Sequence, residues 1–106
     1  RLERVVEALE RAAERGVAVR FLADASFVRT YPETLERLGA RRGIEVRSLD
    51  LRALTRGVLH AKEMLGCGRE AYVGTANCHS RSLEHVQELG VRLRARACVQ
   101  ALSEVF

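Results

Sequence analysis

Three side chains in the middle of the chain have types and spacing that suit one reaction. His60 and Lys62 are separated by a single residue, and Asn77 follows the step Gly74-Thr75 after one more residue. Lys62 is the only lysine among 18 basic residues, and Asn77 is the only asparagine. An imidazole acts as a nucleophile or as a general acid and base near neutral pH. An ammonium holds a phosphoryl oxygen as a point charge, and hydroxyl and amide donors hold others. A glycine at position 74 permits close approach of the backbone, and Glu88 could accept a hydrogen bond from one imidazole nitrogen and leave the other to attack. Such a set suits phosphoryl chemistry. A plain solvent-facing His-x-Lys pair is the competing reading of the first two residues.

The elements that must position these residues follow from the apolar pattern. Leu2, Val5, Val6, Leu9, Ala12 and Ala13 recur at steps of three and four, which predicts an amphipathic helix over 2–13 that stops at Gly16. VAVRFLADA (17–25) reads as a buried strand of a sheet covered on both faces. Pro32 near the start and Gly39 or Gly43 at the end bound a second helix within 31–43, and IEVRSLD (44–50) alternates as a strand. LRALTRG (51–57) is ambiguous. GVLHAKEML (57–65) and EAYVGT (70–75) are expected to form a hairpin turned at Cys67-Gly68-Arg69, which places His60 and Lys62 on one strand face and brings Gly74, Thr75 and Asn77 back beside them. A short helix over 80–86, a strand over 88–94 that carries Glu88, and a helix over 96–106 complete an α/β layout with a mixed β-sheet and flanking helices.

A length of 106 residues with 47% apolar content fits one domain, and no repeat or linker divides it. The balance of 18 basic to 14 acidic residues gives 18 − 14 = +4, which favours anionic partners without choosing between phospholipid headgroups and nucleic acid. No apolar run approaches the roughly 20 residues that cross a bilayer, and the charged opening RLERVVEALERAAERG is no signal peptide. The expected location is the cytoplasm or the periphery of a membrane, with room for a removed leader because the chain opens on Arg1. Cys67, Cys78 and Cys98 are odd in number and do not read as a disulfide framework. Cys67 and Cys78 with His79 and His85 match no strong zinc spacing, and ordinary thiols are the simpler reading.

The middle of the chain resembles the phospholipase D superfamily, whose signature is H-x-K-x4-D-x6-G-[ST]-x-N. His60, Lys62, Gly74, Thr75 and Asn77 fall on that spacing, RSLEHVQELGV (81–91) resembles the segment after the motif in bacterial cardiolipin synthase-like members, and AAERGVAVRFLAD (12–24) resembles the helix and strand ahead of it. The resemblance implies one half-domain of an architecture in which two motifs face each other. The second motif would come from a homodimer or from a second motif-bearing domain, and the lack of a strand ahead of the first helix points toward a piece of a two-motif parent. By the same resemblance His60 forms a covalent phosphohistidine, Lys62 and Asn77 hold the nonbridging oxygens with help from Thr75, and Glu88 orients His60; Gly74, through close backbone approach, and Arg81 are further candidates for substrate binding. No metal or cofactor is implied.

The chain departs from that signature at Cys67, where the family has Asp. A carboxylate there could pair with a base or cap the turn, whereas a thiol is a weak donor and acceptor. His79 reads as an exposed loop residue, and Asp24 as an Asx turn at a strand end. Arg92, Arg94 and Arg96 read as a solvated basic face or as a nucleic-acid track. Three functions therefore stand side by side: a phosphodiesterase or phosphatidyltransferase acting through phosphohistidine, a nuclease of the same superfamily, and a noncatalytic phosphate-binding or dimerisation domain.

Overall fold

The computed structural model describes residues 1–77 and 79–104. The chain divides into two compact units, Arg1–His60 and Ala61–Phe106.

In the first unit, α1 (Leu2–Glu14) leads through a glycine turn to β1 (Val19–Asp24), followed by α2 (Ala25–Thr30), α3 (Pro32–Gly39), β2 (Ile44–Leu49) and α4 (Arg52–Thr55). The stop of α1 is a Schellman motif. Gly16 has φ 87°, its N–H bonds the Ala13 carbonyl at 2.9 Å, and the Val17 N–H bonds the Ala12 carbonyl at 3.1 Å. Strands β1 and β2 pair in parallel, with Val19 opposite Ile44 and Asp24 opposite Leu49. Val6, Leu38 and Ile44 form the core, and Leu2, Leu9, Ala13, Val19, Phe21 and Val46 pack around it. Burial of a leucine such as Leu38 contributes about 1.5–3 kcal/mol. β1 is less enclosed than its apolar run suggests, because Arg20 stands exposed within it.

Helices α1 and α3 are also joined by charge. The Glu10 carboxylate, buried on α1, accepts from Arg37 Nε at 2.9 Å and Nη2 at 2.7 Å, and from Arg41 Nε at 3.1 Å. The two oxygens of Glu10 face the planar fork of Arg37, a geometry that holds a carboxylate ionised.

The second unit is an antiparallel meander of β3 (Glu63–Gly66), β4 (Glu70–Gly74) and β5 (Gly90–Leu93), with α5 (Ser80–His85) between β4 and β5 and α6 (Arg96–Ser103) closing it. Helix α6, which carries the buried Val99, packs on β3 and β4, where Ala71 is buried. On the opposite face Tyr72 lies between Met64 and Arg92 in the register, one step from the glycine pair Gly74 and Gly90. A Cβ on either glycine would meet the Tyr72 ring, at 2.6 Å from its hydroxyl in the case of Gly74. The two glycines thus give the ring room to lie across the sheet. Among the described residues no helix is long and apolar enough to cross a membrane.

Several expected boundaries move. Helix α2 occupies residues read as strand end and connection, α4 resolves the ambiguous segment, and the last helix runs to Ser103 with Val105 and Phe106 outside the described residues. The expected mixed sheet is realised as a parallel pair in one unit and an antiparallel meander in the other. The expected strand over 57–65 begins only at Glu63, so His60 and Lys62 lie in the irregular segment ahead of it. The last link of the ladder is the Gly74 N–H on the Lys62 carbonyl, at 2.9 Å, and β4 itself ends at Gly74, so it offers no further strand residue to the segment ahead of Lys62.

Candidate active site

The segment that carries His60 is anchored within the first unit by Asp24. This residue is 4% exposed and ends β1 as the N-cap of α2, where Oδ1 accepts from the Ser26 N–H at 2.8 Å and from the Ser26 hydroxyl. Its other oxygen, Oδ2, accepts from the Leu59 N–H at 2.8 Å. The Asx turn expected from sequence is therefore present, and the same carboxylate also fixes the backbone immediately ahead of His60. Hydrogen bonds from Ser26 and then from Leu59 hold the Asp24 carboxyl below its ordinary pKa of 3.8. The His60 side chain is exposed, and the unit boundary follows it.

The second unit gathers Lys62, Thr75, Asn77 and Glu88. Lys62 is half-buried immediately ahead of β3, and burial draws its ammonium below the ordinary 10.5 while the charge of Glu88 opposes that shift. Glu88 precedes β5 instead of lying on it, because Gly90 is the first residue to pair, opposite Gly74. Each of its carboxylate oxygens accepts from a hydroxyl, Oε1 from Ser82 and Oε2 from Thr75. Those two hydrogen bonds, Ser82 first, hold Glu88 below its ordinary pKa of 4.5, and the nearby charges of His79 and Lys62 act in the same direction.

The directions of these hydrogen bonds follow from counting protons. The Ser82 hydroxyl accepts from the Asn77 backbone N–H at 2.9 Å, and the Thr75 hydroxyl accepts from the Leu89 N–H at 3.0 Å. An N–H can only donate and an ionised carboxylate can only accept, so the single proton of each hydroxyl points to Glu88. Thr75, expected at the substrate, is thus engaged with Glu88. Ser82, which the motif spacing did not single out, is 3% exposed and links Glu88 to the loop of Asn77. Its signal in the sequence was slight, a serine six residues before a glutamate.

His79 is half-buried and caps α5, its Nδ1 accepting from the Ser82 N–H at 3.2 Å, where an exposed loop residue was expected. Arg81 and His85 are exposed on α5. Of the basic run, Arg92 and Arg94 are both engaged by Glu70, with Arg94 Nε at 2.9 Å from Oε1. Cys67 and Cys98 are exposed thiols, Cys78 lies outside the described residues, and among the described residues no three potential metal ligands are grouped. Cys67 has φ 51° and Gly68 φ 65°, and the Arg69 N–H closes on the Gly66 carbonyl at 3.0 Å. Positive φ at both central residues is the pattern of a type I′ turn, for which Asn-Gly and Asp-Gly are the favoured pairs.

Residues 2–106 match the family described as cardiolipin synthase, PLD-like domain. The chain belongs to the phospholipase D superfamily. Its phospholipase D-like fold is seen also in NucT from Helicobacter pylori, which it resembles with a TM-score of 0.85 at 16% identity over 97% of this chain and 68% of that one. Phospholipase D Y of Dictyostelium discoideum is 35% identical over 102 residues, which is 95% of this chain and 23% of that protein. The human 5'-3' exonuclease PLD3 is 34% identical over 105 residues, 98% of this chain and 21% of that protein. The phospholipase D-like chain thus spans about a fifth of the length of these curated relatives.

Proposed function

We propose that this chain supplies one half of a phosphodiesterase site working through a phosphohistidine, completed by a second copy of the chain or by a second motif-bearing domain. The observation that carries the reading is the gathering of Thr75, Asn77 and the doubly held Glu88 with Lys62 in one small antiparallel unit, on the spacing of a family that the chain matches from residue 2 to 106. In the first step an imidazole nitrogen of His60 forms a bond to phosphorus while the bond from phosphorus to the leaving oxygen breaks. The histidine of the second motif gives that oxygen its proton. In the second step water or another alcohol attacks phosphorus, passes its proton to the same histidine, and releases His60. Lys62 and the Asn77 carboxamide serve the nonbridging oxygens, whose charge grows at the transition state. Glu88 has a hydroxyl on each oxygen and lone pairs to spare, which suits it to accept the other imidazole N–H.

Two substrate classes are separable. The exonuclease names of several relatives favour a nucleic-acid strand, and the cardiolipin synthase description of the family favours a phosphatidyl group and transfer to an alcohol. Incubation with bis(p-nitrophenyl) phosphate, followed by acid-free mass spectrometry, should find one phosphoryl adduct on His60 and none in the His60→Asn variant. Turnover without that adduct refutes the phosphohistidine, and phosphate binding without turnover in a confirmed dimer returns the chain to a binding domain. A single-stranded oligonucleotide and phosphatidylglycerol vesicles then divide nuclease from lipid chemistry. Binding to the oligonucleotide should fall steeply with salt if several phosphates are contacted.

A further inference from the structure

We propose that Ser82 is a positioning residue of this site, fixing Glu88 and the Asn77 loop to each other through one hydroxyl. The inference rests on the phosphodiesterase reading above and adds a residue to it. Three observations carry it. Ser82 is 3% exposed, so its hydroxyl is not available to bulk solvent, and a polar group so buried must find its partners inside the protein. Both of its partners belong to the candidate site: it accepts from the Asn77 N–H at 2.9 Å and donates to Glu88 Oε1. Thr75 holds the other carboxylate oxygen, and its own hydroxyl is anchored by the Leu89 N–H at 3.0 Å, so the carboxylate is gripped from two sides and its plane is set.

Neither grip alone fixes the group. A carboxylate held at one oxygen still turns about that hydrogen bond, whereas two donors from separate segments leave one orientation. Ser82 also sets the distance between the Asn77 backbone and Glu88, because a single oxygen atom joins them. Displacements of about 1 Å at such a site cost roughly 100-fold in rate. The charged or titratable groups whose fields reach Glu88 are Lys62 and His79, and both favour its ionised form, as Ser82 does.

The test uses the full 106-residue chain and four proteins: wild type, Ser82→Ala, Ser82→Cys and Ser82→Thr. With an active wild type, Ser82→Ala should lower kcat by about 10- to 100-fold with KM changed less than about twofold. The acid limb of its pH profile should move to higher pH, because Glu88 loses a donor to its ionised form. Ser82→Cys, close in shape but a weak donor, should follow Ser82→Ala, and Ser82→Thr should restore most of kcat. A ¹³C titration of the Glu88 side-chain carboxyl should show the same upward move in Ser82→Ala and Ser82→Cys, and needs no activity. A wild type that turns over but forms no adduct on His60 counts against the phosphohistidine reading alone. An unchanged Glu88 titration in folded Ser82→Ala or Ser82→Cys overturns the role of Ser82, as does a loss of kcat with no movement of the limb.

Discussion

Replacing Cys67 separates two explanations of the residue that departs from the family signature. Position 67 has a conformational role in the structure, because φ is 51° there and 65° at Gly68, and the turn joins β3 to β4. A side chain with a Cβ costs about 1–2 kcal/mol in the left-handed region, and Asn and Asp cost less because their short polar groups bond locally. Cys67→Asn and Cys67→Asp should therefore stabilise the chain by about 0.5–1 kcal/mol. Cys67→Gly should give a similar or smaller gain, since the greater freedom that glycine loses on folding offsets its relief of strain. For a chain of this size that is a rise in Tm of roughly 2–4 °C. Thermal melting followed by circular dichroism reads it, with Cys67→Ala as the control that keeps the strained backbone and removes only the thiol. Flat or lowered Tm values in both Cys67→Asn and Cys67→Asp would refute the turn argument. Activity gives the second arm. If the family's Asp is a turn residue, Cys67→Asp leaves kcat within about twofold, and a rise above roughly tenfold would mean that a carboxylate here takes part in the chemistry.

Other expectations follow from the same geometry. Arg37, whose hydrogen bonds are the largest influence, and Arg41 hold Glu10 from an ordinary 4.5 down to about 2. Because the folded pKa is the lower one, Glu10 contributes stability that is fully present above about pH 4.5 and is lost as the pH falls through about 2. The gap in Tm between wild type and Glu10→Gln should therefore be widest above about pH 5 and shrink steadily on acidification, and a constant gap would contradict the linkage. Gly16→Ala should cost about 1 kcal/mol in a urea titration, since φ at that position is 87° in the Schellman motif. Gly90→Ala should push the Tyr72 ring off the sheet, and a double-mutant cycle with Tyr72→Ala should return a coupling of about 0.5–1.5 kcal/mol. Additive effects would place the ring elsewhere.

What was legible in the sequence was whatever depended on neighbours along the chain. The three-to-four spacing of Leu2 to Ala13, the Pro32 start and the alternation over 44–50 are local signals, and α1, α3 and β2 formed where they pointed. The hairpin turn at Cys67-Gly68-Arg69 is local too. The strand expected at His60 failed for a nonlocal reason. The backbone ahead of β3 is held at Leu59 by Asp24, 35 positions away, whose carboxylate accepts the Leu59 N–H. Helix α2 was hidden because its N-cap, Asp24, ends an apolar run that reads as continuing strand. Ser82 was illegible because a serine acquires meaning only when the chain beyond Val86 returns Glu88 to it.

The distribution of donors also bears on why one lysine and one asparagine stand where they do. Thr75 and Ser82 each have one hydroxyl proton, and both protons are directed to Glu88, while the Asn77 backbone N–H is directed to Ser82. Besides the His60 imidazole, the other side-chain donor groups of the motif are the Lys62 ammonium and the Asn77 carboxamide. Under the phosphodiesterase reading those two meet the nonbridging oxygens, and the hydroxyls act one step removed by holding the carboxylate that orients the nucleophile. An arginine at position 62 would bring a wide planar fork in place of a compact point charge, at a site already half-buried and electrostatically coupled to Glu88.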